Sequence, residues 1–273
     1  MLWASGYYKD YPLIRDYLER LDLSAGRDMF ERYNRICPWY SEVIINRKHF
    51  ISTSVRTLIG RTSDKMTIIN LGAGYSPLSL ELAPLLSPRC RCIEVDRSGM
   101  DAKHALYTSL VPDHCGFISC IEADISDTFS LRNILGHEAG HLVVVMEGLT
   151  YYLSRQVMEG IISALNGLSS ELCLIFEHLK PCRSISERRR YIPERIFTDI
   201  RDSAGLDLLT TYTEEKIRSM LPPGFSCSYY DMSDMELQRT GTRTCFPAPE
   251  CGWISCAVAT RPPEREASGG ILR

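Results

Sequence analysis

No stretch of the 273-residue sequence reaches the roughly 18 consecutive apolar residues that a membrane-spanning helix needs, so no such helix is expected. Charge of one sign is also lacking. The 31 Lys and Arg against 34 Asp and Glu leave a net charge of -3, which gives no reason to expect nucleic acid or an anionic membrane surface as a partner. Positions 1–10 lack the charged start and long apolar core of a signal peptide. Cysteine is not scarce, at 11 residues, but none is spaced C-x-x-C. Cys173 and Cys256 lie in apolar runs, where a thiol behaves as a small hydrophobe. The expectation is reduced thiols in a cytoplasmic protein. Internal repeats are absent.

What is present fits an ordinary globular chain, with 44% hydrophobic and 24% charged residues and enough length for a sizeable core. The chain is organised around 67–77. Ile68, Ile69 and Leu71 form a short strand-like run, and Gly72 and Gly74 follow at once. Glycines there allow a sharp turn and close approach of backbone to a ligand. Ser76 suits an N-cap and Pro77 a first helical residue. Strand, glycine turn and helix start open a Rossmann-like nucleotide site, although a turn without a ligand fits the same residues.

A second strand, 91–96, ends in Asp96, which lies 24 positions after Gly72 (96 minus 72). An acid at that offset can accept from a ribose hydroxyl pair. Pro77 stands where a dinucleotide site has its last glycine, which favours a nucleoside ligand without phosphates. A third strand over 116–121 is followed by Asp124 and Ile125. The acid can accept from an exocyclic base amine and Ile125 can pack on the ring, or Asp124 can simply cap the next helix.

Strands and helices alternate through the rest of the chain, with a fourth strand over 142–146, a helix capped by Ser154 and a fifth strand over 172–176. That alternation predicts an α/β fold with a doubly wound, Rossmann-like parallel sheet. Ligands bind at the carboxyl ends of such strands, and Gly72, Asp96, Asp124, Glu147 and His178 all fall just past a predicted strand end. Two last strands, 226–231 and 252–260, are read as an antiparallel pair with a loop and no helix between them. The three arginines at 188–190 are read as a solvated helix face.

Residues 7–35 and 41–58 read as helices ahead of the sheet, giving an N-terminal helical cap over 1–60. The sheet domain follows over 61–261, and the Pro-, Gly- and charge-rich tail 262–273 is expected to be disordered. Trp39, Tyr40 and Arg47 are the cap residues that can face a ligand, with an exposed helix charge the plainer reading of Arg47. Ser98 and Asp101 have the spacing of a capping box. His137-Glu138-Ala139-Gly140-His141 matches the zinc-protease pattern H-E-x-x-H, but that pattern needs a helix. Gly136 and Gly140 weaken one and a β-branched run follows, so no catalytic metal is expected.

Asn70-Leu71-Gly72-Ala73-Gly74, Glu94-Val95-Asp96 with Lys103, Ala123-Asp124 and 147–153 together resemble the leucine carboxyl methyltransferase-like family, a branch of the class I S-adenosylmethionine (SAM) methyltransferases. Arg47 matches an arginine that precedes the first strand in that family. The resemblance implies a seven-stranded sheet with the last strand antiparallel and SAM as cofactor over Gly72, Ala73 and Gly74. It implies Asp96 on the ribose, Asp124 on the adenine amine, Arg47 on the carboxylate of SAM and Glu147 on its ammonium. The chain departs from the family after the glycines, where Ser76-Pro77-Leu78 replaces an Asp-Thr-Arg type sequence.

The implied reaction is O-methylation of a carboxylate or hydroxyl on a small-molecule acceptor, with Trp39, Tyr40, Tyr151 and Tyr152 the candidate pocket residues. A carboxylate is ionised at neutral pH and needs no base, whereas a phenol gains from one. His178 is the candidate base, or a hydrogen-bonded structural histidine. The glycine turn and Asp96 also suit an NAD-dependent oxidoreductase, and a SAM-fold binding protein without activity would carry the same motifs.

Overall fold

The computed structural model describes residues 2, 5–138, 140–168, 171–207 and 209–261; the expected tail lies outside them. The strands are β1 (Met66–Leu71), β2 (Cys90–Asp96), β3 (Ile118–Glu122), β4 (His141–Met146), β5 (Leu172–Leu179), β6 (Ser226–Asp231) and β7 (Ile254–Arg261). They form one sheet in the order β3-β2-β1-β4-β5-β7-β6. Strands β1 to β5 pair in parallel, and β7 runs antiparallel to both β5 and β6. The chain is therefore a seven-stranded, doubly wound α/β sheet with its last strand reversed.

β1 and β5 are buried along their whole length and β4 from Leu142 onward, as strands covered on both faces must be. Side chains alternate between two cores. Ile68, Cys92, Val143, Val145, Cys173 and Ile175 face one core, and Ile69, Leu71, Val95, Val144, Leu174 and Phe176 face the other. The first core also takes in Ile14, Tyr17, Tyr33, Val43, Ile51 and Val55 from α1 (Pro12–Glu19), α2 (Ser24–Ile36) and α3 (Tyr40–Arg61). The N-terminal helices thus share a core with one face of the sheet.

Local chemistry moved several boundaries. The helix expected from residue 7 starts at Pro12, whose fixed φ and missing N–H suit the first turn, and it breaks before Ser24. Ser76 does not cap a helix. Its hydroxyl accepts from Lys48 Nζ at 3.3 Å, and Pro77 takes the N-cap position of α4 (Leu78–Leu82). Ser98 and Asp101 form no capping box either. Gly99, at φ +79°, is the N-cap of α5 (Met100–Leu110), and the Glu122 carboxylate accepts from Met100 N–H. A helix does separate the last two strands: Met232–Thr240 is helical and opens on Asp231, which forms a capping box with Asp234. The expected loop holds only its remainder.

The described residues of the H-E-x-x-H segment, 137, 138, 140 and 141, are not helical. α6 (Thr128–Leu135) ends before it, Glu138 accepts from Thr67 at 2.8 Å, and His141 opens β4 with Nδ1 2.7 Å from Glu171. Ser154 caps α7 (Arg155–Asn166) through Val157 N–H. The arginines at 188–190 are not a purely solvated face. Arg189 donates to the carbonyls of Cys245 and Cys251 and lies 4.6 Å above the Trp39 ring. Among the described residues no helix is long and apolar enough to cross a membrane.

Lys103 of α5 is fully buried and forms an ion pair with Glu94 of β2, which is equally buried. Its ammonium also donates to the Gly74 carbonyl at 2.7 Å, while Ser79 donates to Glu94 at 2.6 Å. Removing one partner leaves the other charge buried and uncompensated. Lys103→Met is expected to lower unfolding free energy by about 3–5 kcal/mol in urea titration. A wild-type midpoint would show that this pair is not a structural anchor.

Candidate functional site

The glycine turn after β1 is held from several elements. Gly72 and Gly74 take φ +66° and +44°, in the region where side chains are disfavoured. The amides of Gly72 and Ala73 donate to the Val95 carbonyl at 2.9 and 3.1 Å, and Gly74 N–H donates to Asp96 Oδ2 at 2.7 Å. Lys103 holds the Gly74 carbonyl, and the Tyr107 hydroxyl donates to the Ser76 carbonyl at 3.2 Å. The other Asp96 oxygen accepts from Arg97 N–H at 2.6 Å. Each Asp96 oxygen keeps acceptor capacity beyond these bonds.

Beside the turn lies a buried charge cluster. Arg47 and Lys48 of α3 meet Glu81 of α4, Glu147 after β4 and Glu177 of β5. Lys48 Nζ is 2.9 Å from Glu81 and 3.3 Å from Glu147. Arg47 reaches Glu147 at 3.3 Å and Glu177 at 2.8 Å. Tyr8 and Ser52 donate to Glu81 at 2.6 and 2.7 Å, and Gly148 N–H donates to Glu177 at 2.9 Å. Burial works against an ionised Glu147, but Lys48 and Arg47 outweigh it and hold its carboxyl below the usual range. At Glu177 burial wins over Arg47, with Glu147 adding to it, and its carboxyl is pushed up to about 7. Lys48 stays charged because Glu147 and Glu81 overcome burial.

Strand register explains the assembly. Val95 pairs with Leu71, Asn70 with Val145, and Phe176 with Met146. Continuing the register, by one residue from the first and third pairs and by two from the second, brings Asp96, Gly72, Glu147 and Glu177 into a single row on the face that α3 covers. Lys48 links the two halves of the row, since its ammonium reaches both Ser76 and Glu147.

The expected residues fall into three groups. Arg47 with Glu147, and Gly72, Ala73 and Gly74 with Asp96, come together. Tyr40 and Tyr151 are buried beside Arg47 and Glu177, and the Tyr152 ring lies 4.6 Å from that of Tyr151, tilted by 48°. Others are engaged elsewhere. Asp124 is exposed, accepts from Ser126 and pairs with Arg97 at 3.1 Å. Ile125 packs into the second core, and Trp39 packs against Phe246 and Trp253.

His178 requires a correction. It lies inside β5 and not past its end, because β5 continues to Leu179 in a ladder with β7. Alternation sends its ring to the face opposite Glu177, into a cavity with Tyr212 and Asp231. Burial pushes its pKa down to about 4, helped by Lys180, so the ring is neutral near pH 7.

The sequence reading missed Lys48, Glu81 and Glu177. An acid continuing the apolar run 172–176 was the available signal for Glu177. Lys48 gave none, since a lysine beside an arginine on a helix normally marks a solvated face.

With this geometry in place, likeness to solved structures is informative about the fold. A carbon methyltransferase, CurJ, superposes with a TM-score of 0.53 at 13% identity, over 81% of this chain and 55% of that one. A possible exported protein from Bordetella parapertussis superposes with a TM-score of 0.52 at 14% identity, over 79% of this chain and 68% of that one. No family model matches the sequence. No curated relative matches it either. The fold is that of the class I methyltransferases.

A Cβ at Gly72 would lie 2.8 Å from Leu149 Cδ1, whereas one at Gly74 meets only Asp96 Oδ2 at 3.9 Å. Gly74→Ala should cost about 1–2 kcal/mol of stability from the left-handed backbone alone. Gly72→Ala should cost more, because Leu149 must also move. Thermal unfolding of both variants checks the order, and equal losses would mean that Leu149 does not limit the turn.

Proposed function

We propose that the chain is a SAM-dependent methyltransferase that methylates a carboxylate on a small apolar molecule. The observation that carries the reading is the row Asp96, Gly72, Glu147 and Glu177 at the carboxyl edge of the sheet, with Arg47 over it. Among the described residues Asn70 Nδ2 on this face lacks a hydrogen-bond partner, and Arg47 Nε and Glu177 Oε2 lie 2.8 Å apart as an ion pair without making a hydrogen bond. A zwitterionic amino-acid end with both an acceptor and a donor suits such atoms. Asp96 would hold the ribose, Arg47 the carboxylate and Glu147 the ammonium. SAM supplies a methyl group on a sulfonium, which a nucleophile can take directly. The protein aligns the partners and keeps water out. The finer likeness to the leucine carboxyl methyltransferase-like family rests on the motifs quoted above and supports a carboxylate acceptor.

A second observation favours that acceptor class. His178 faces away, so a nucleophile already ionised at neutral pH asks least of the protein. A cavity of about 200 Å³ adjoins the end of β5, lined by Leu179, Ile185, Phe197 and Leu209 with Lys180 and Arg201. Phe197 meets Tyr151 edge-on at 5.4 Å, next to the charge cluster. Apolar walls with Lys180 and Arg201 against the one carboxylate of Glu194 leave a net positive lining, which suits a small carboxylic acid. Transfer of labelled methyl from SAM, screened over small carboxylic acids and phenols, is expected to label the acids. Labelling confined to phenols would reverse this choice.

Binding tests the cofactor contacts without an acceptor. Asp96→Ala should weaken SAM by about 1.5–3 kcal/mol, the range for bonds to a charged group, and unchanged affinity would remove the ribose assignment. Arg47→Lys keeps the charge but loses the planar fork. It should weaken SAM and S-adenosylhomocysteine alike and leave adenosine, which has no carboxylate, unaffected. Equal losses for adenosine would mean that Arg47 acts only by holding α3 in place.

A further inference from the structure

The cluster under the site does not balance its charge. Arg47 and Lys48 supply two cations, while Glu81, Glu147 and Glu177 supply three carboxylates. Glu81 has Lys48, Tyr8 and Ser52 as direct partners, and Glu147 has both cations. Among the described residues the Glu177 carboxylate has only Arg47, which it shares with Glu147, and the Gly148 N–H. Its Oε2 is 2.8 Å from Arg47 Nε, yet neither atom makes a hydrogen bond. The other groups that face it bring no positive charge: Tyr40 on α3, Tyr151 and Tyr152 after β4, and Cys256 beside it on β7.

A buried excess of one negative charge is costly and is cancelled either by a proton or by a further cation. Resting on the methyltransferase reading, SAM brings one net positive charge, from carboxylate, ammonium and sulfonium together. S-adenosylhomocysteine lacks the sulfonium and brings none. We propose that Glu177 is a specificity-determining residue that gives up a proton to solvent when SAM binds and keeps it when S-adenosylhomocysteine binds. The site thereby distinguishes the charged cofactor from its neutral product. The proton balance is closed: one proton leaves the Glu177 carboxyl as one cationic ligand enters. Burial raises the free carboxyl to about 7, so the exchange falls in an accessible pH range.

Linkage gives the sign. A ligand that prefers ionised Glu177 binds more weakly as pH falls through 7, by about tenfold between pH 8 and pH 6. The test is isothermal titration of the full chain with SAM and with S-adenosylhomocysteine at both pH values, in wild type and Glu177→Gln. The expected result is about tenfold weaker SAM binding at pH 6 in wild type, a nearly flat profile for S-adenosylhomocysteine, and loss of the tenfold dependence in E177Q. Titration of the ligand itself appears equally in both proteins, so their difference belongs to Glu177. Wild type alone provides a second readout. At pH 7, buffers of different ionisation enthalpy should reveal about half a proton more released by SAM than by S-adenosylhomocysteine. Parallel profiles for the two ligands, or a tenfold dependence retained in E177Q, would overturn the proposal and leave the methyltransferase reading standing. No SAM binding at either pH would overturn both.

Discussion

A charged lysine with no exposed side chain needs counter-charges buried with it, and Lys48, like Lys103, is such a residue. Its ammonium touches Glu81, Glu147 and the Ser76 hydroxyl, which belong to three separate segments of the sheet domain. Arg47, next to it on α3, engages Glu147 and Glu177. Moving α3 away would strand three carboxylates at the sheet edge. The cap is therefore tied to the site by charge as well as by the core it shares with the sheet. An arrangement this dependent on mutual compensation is poorly suited to stability alone, since apolar residues would fill the same volume at less cost.

The glycine turn depends on the same logic at smaller scale. Its carbonyls are held by Lys103 and Tyr107, and its Gly74 amide by Asp96. Lys103 in turn needs Glu94, which Ser79 and Tyr107 also contact. The turn backbone is thus fixed in its left-handed conformation by side chains from β2, α4 and α5. Held this way, it can meet a ligand without ordering first.

Much of this was legible in the sequence, and the reasons are specific. Alternation of strand and helix patterns is a local signal, so β1, β2, β4 and the antiparallel pair β6 and β7 could be placed. Gly72, Gly74, Asp96 and Glu147 carry local signals too, since each stands at the junction of an apolar run and a polar turn. Capping was less legible. Ser76 and Ser98 were good candidates by type, but the cap positions went to Pro77 and Gly99. Lys48 and Glu81 were out of reach because each takes its meaning from the other, 33 positions away (81 minus 48), and the local signal at Glu177, an acid continuing an apolar run, could not reveal its partner Arg47, 130 positions away (177 minus 47).

The confusion of His178 with Glu177 shows what the sheet contributes. The two residues are neighbours in sequence, yet the pleat sends them to opposite layers. Strand β5 looked complete at Phe176 because its apolar run stops there, but pairing with β7 carries it on to Leu179. That extension keeps Glu177 in strict alternation with Cys173 and Ile175, so it joins the row begun by Asp96, Gly72 and Glu147. A slip of one residue in β5 would exchange the two. A neutral imidazole would then lie under Arg47, and a carboxylate would enter the layer where His178 now sits beside Tyr212. The reversed strand β7, between β5 and the edge strand β6, therefore does more than complete the sheet: its ladder with β5 decides which of two adjacent titratable groups faces the site.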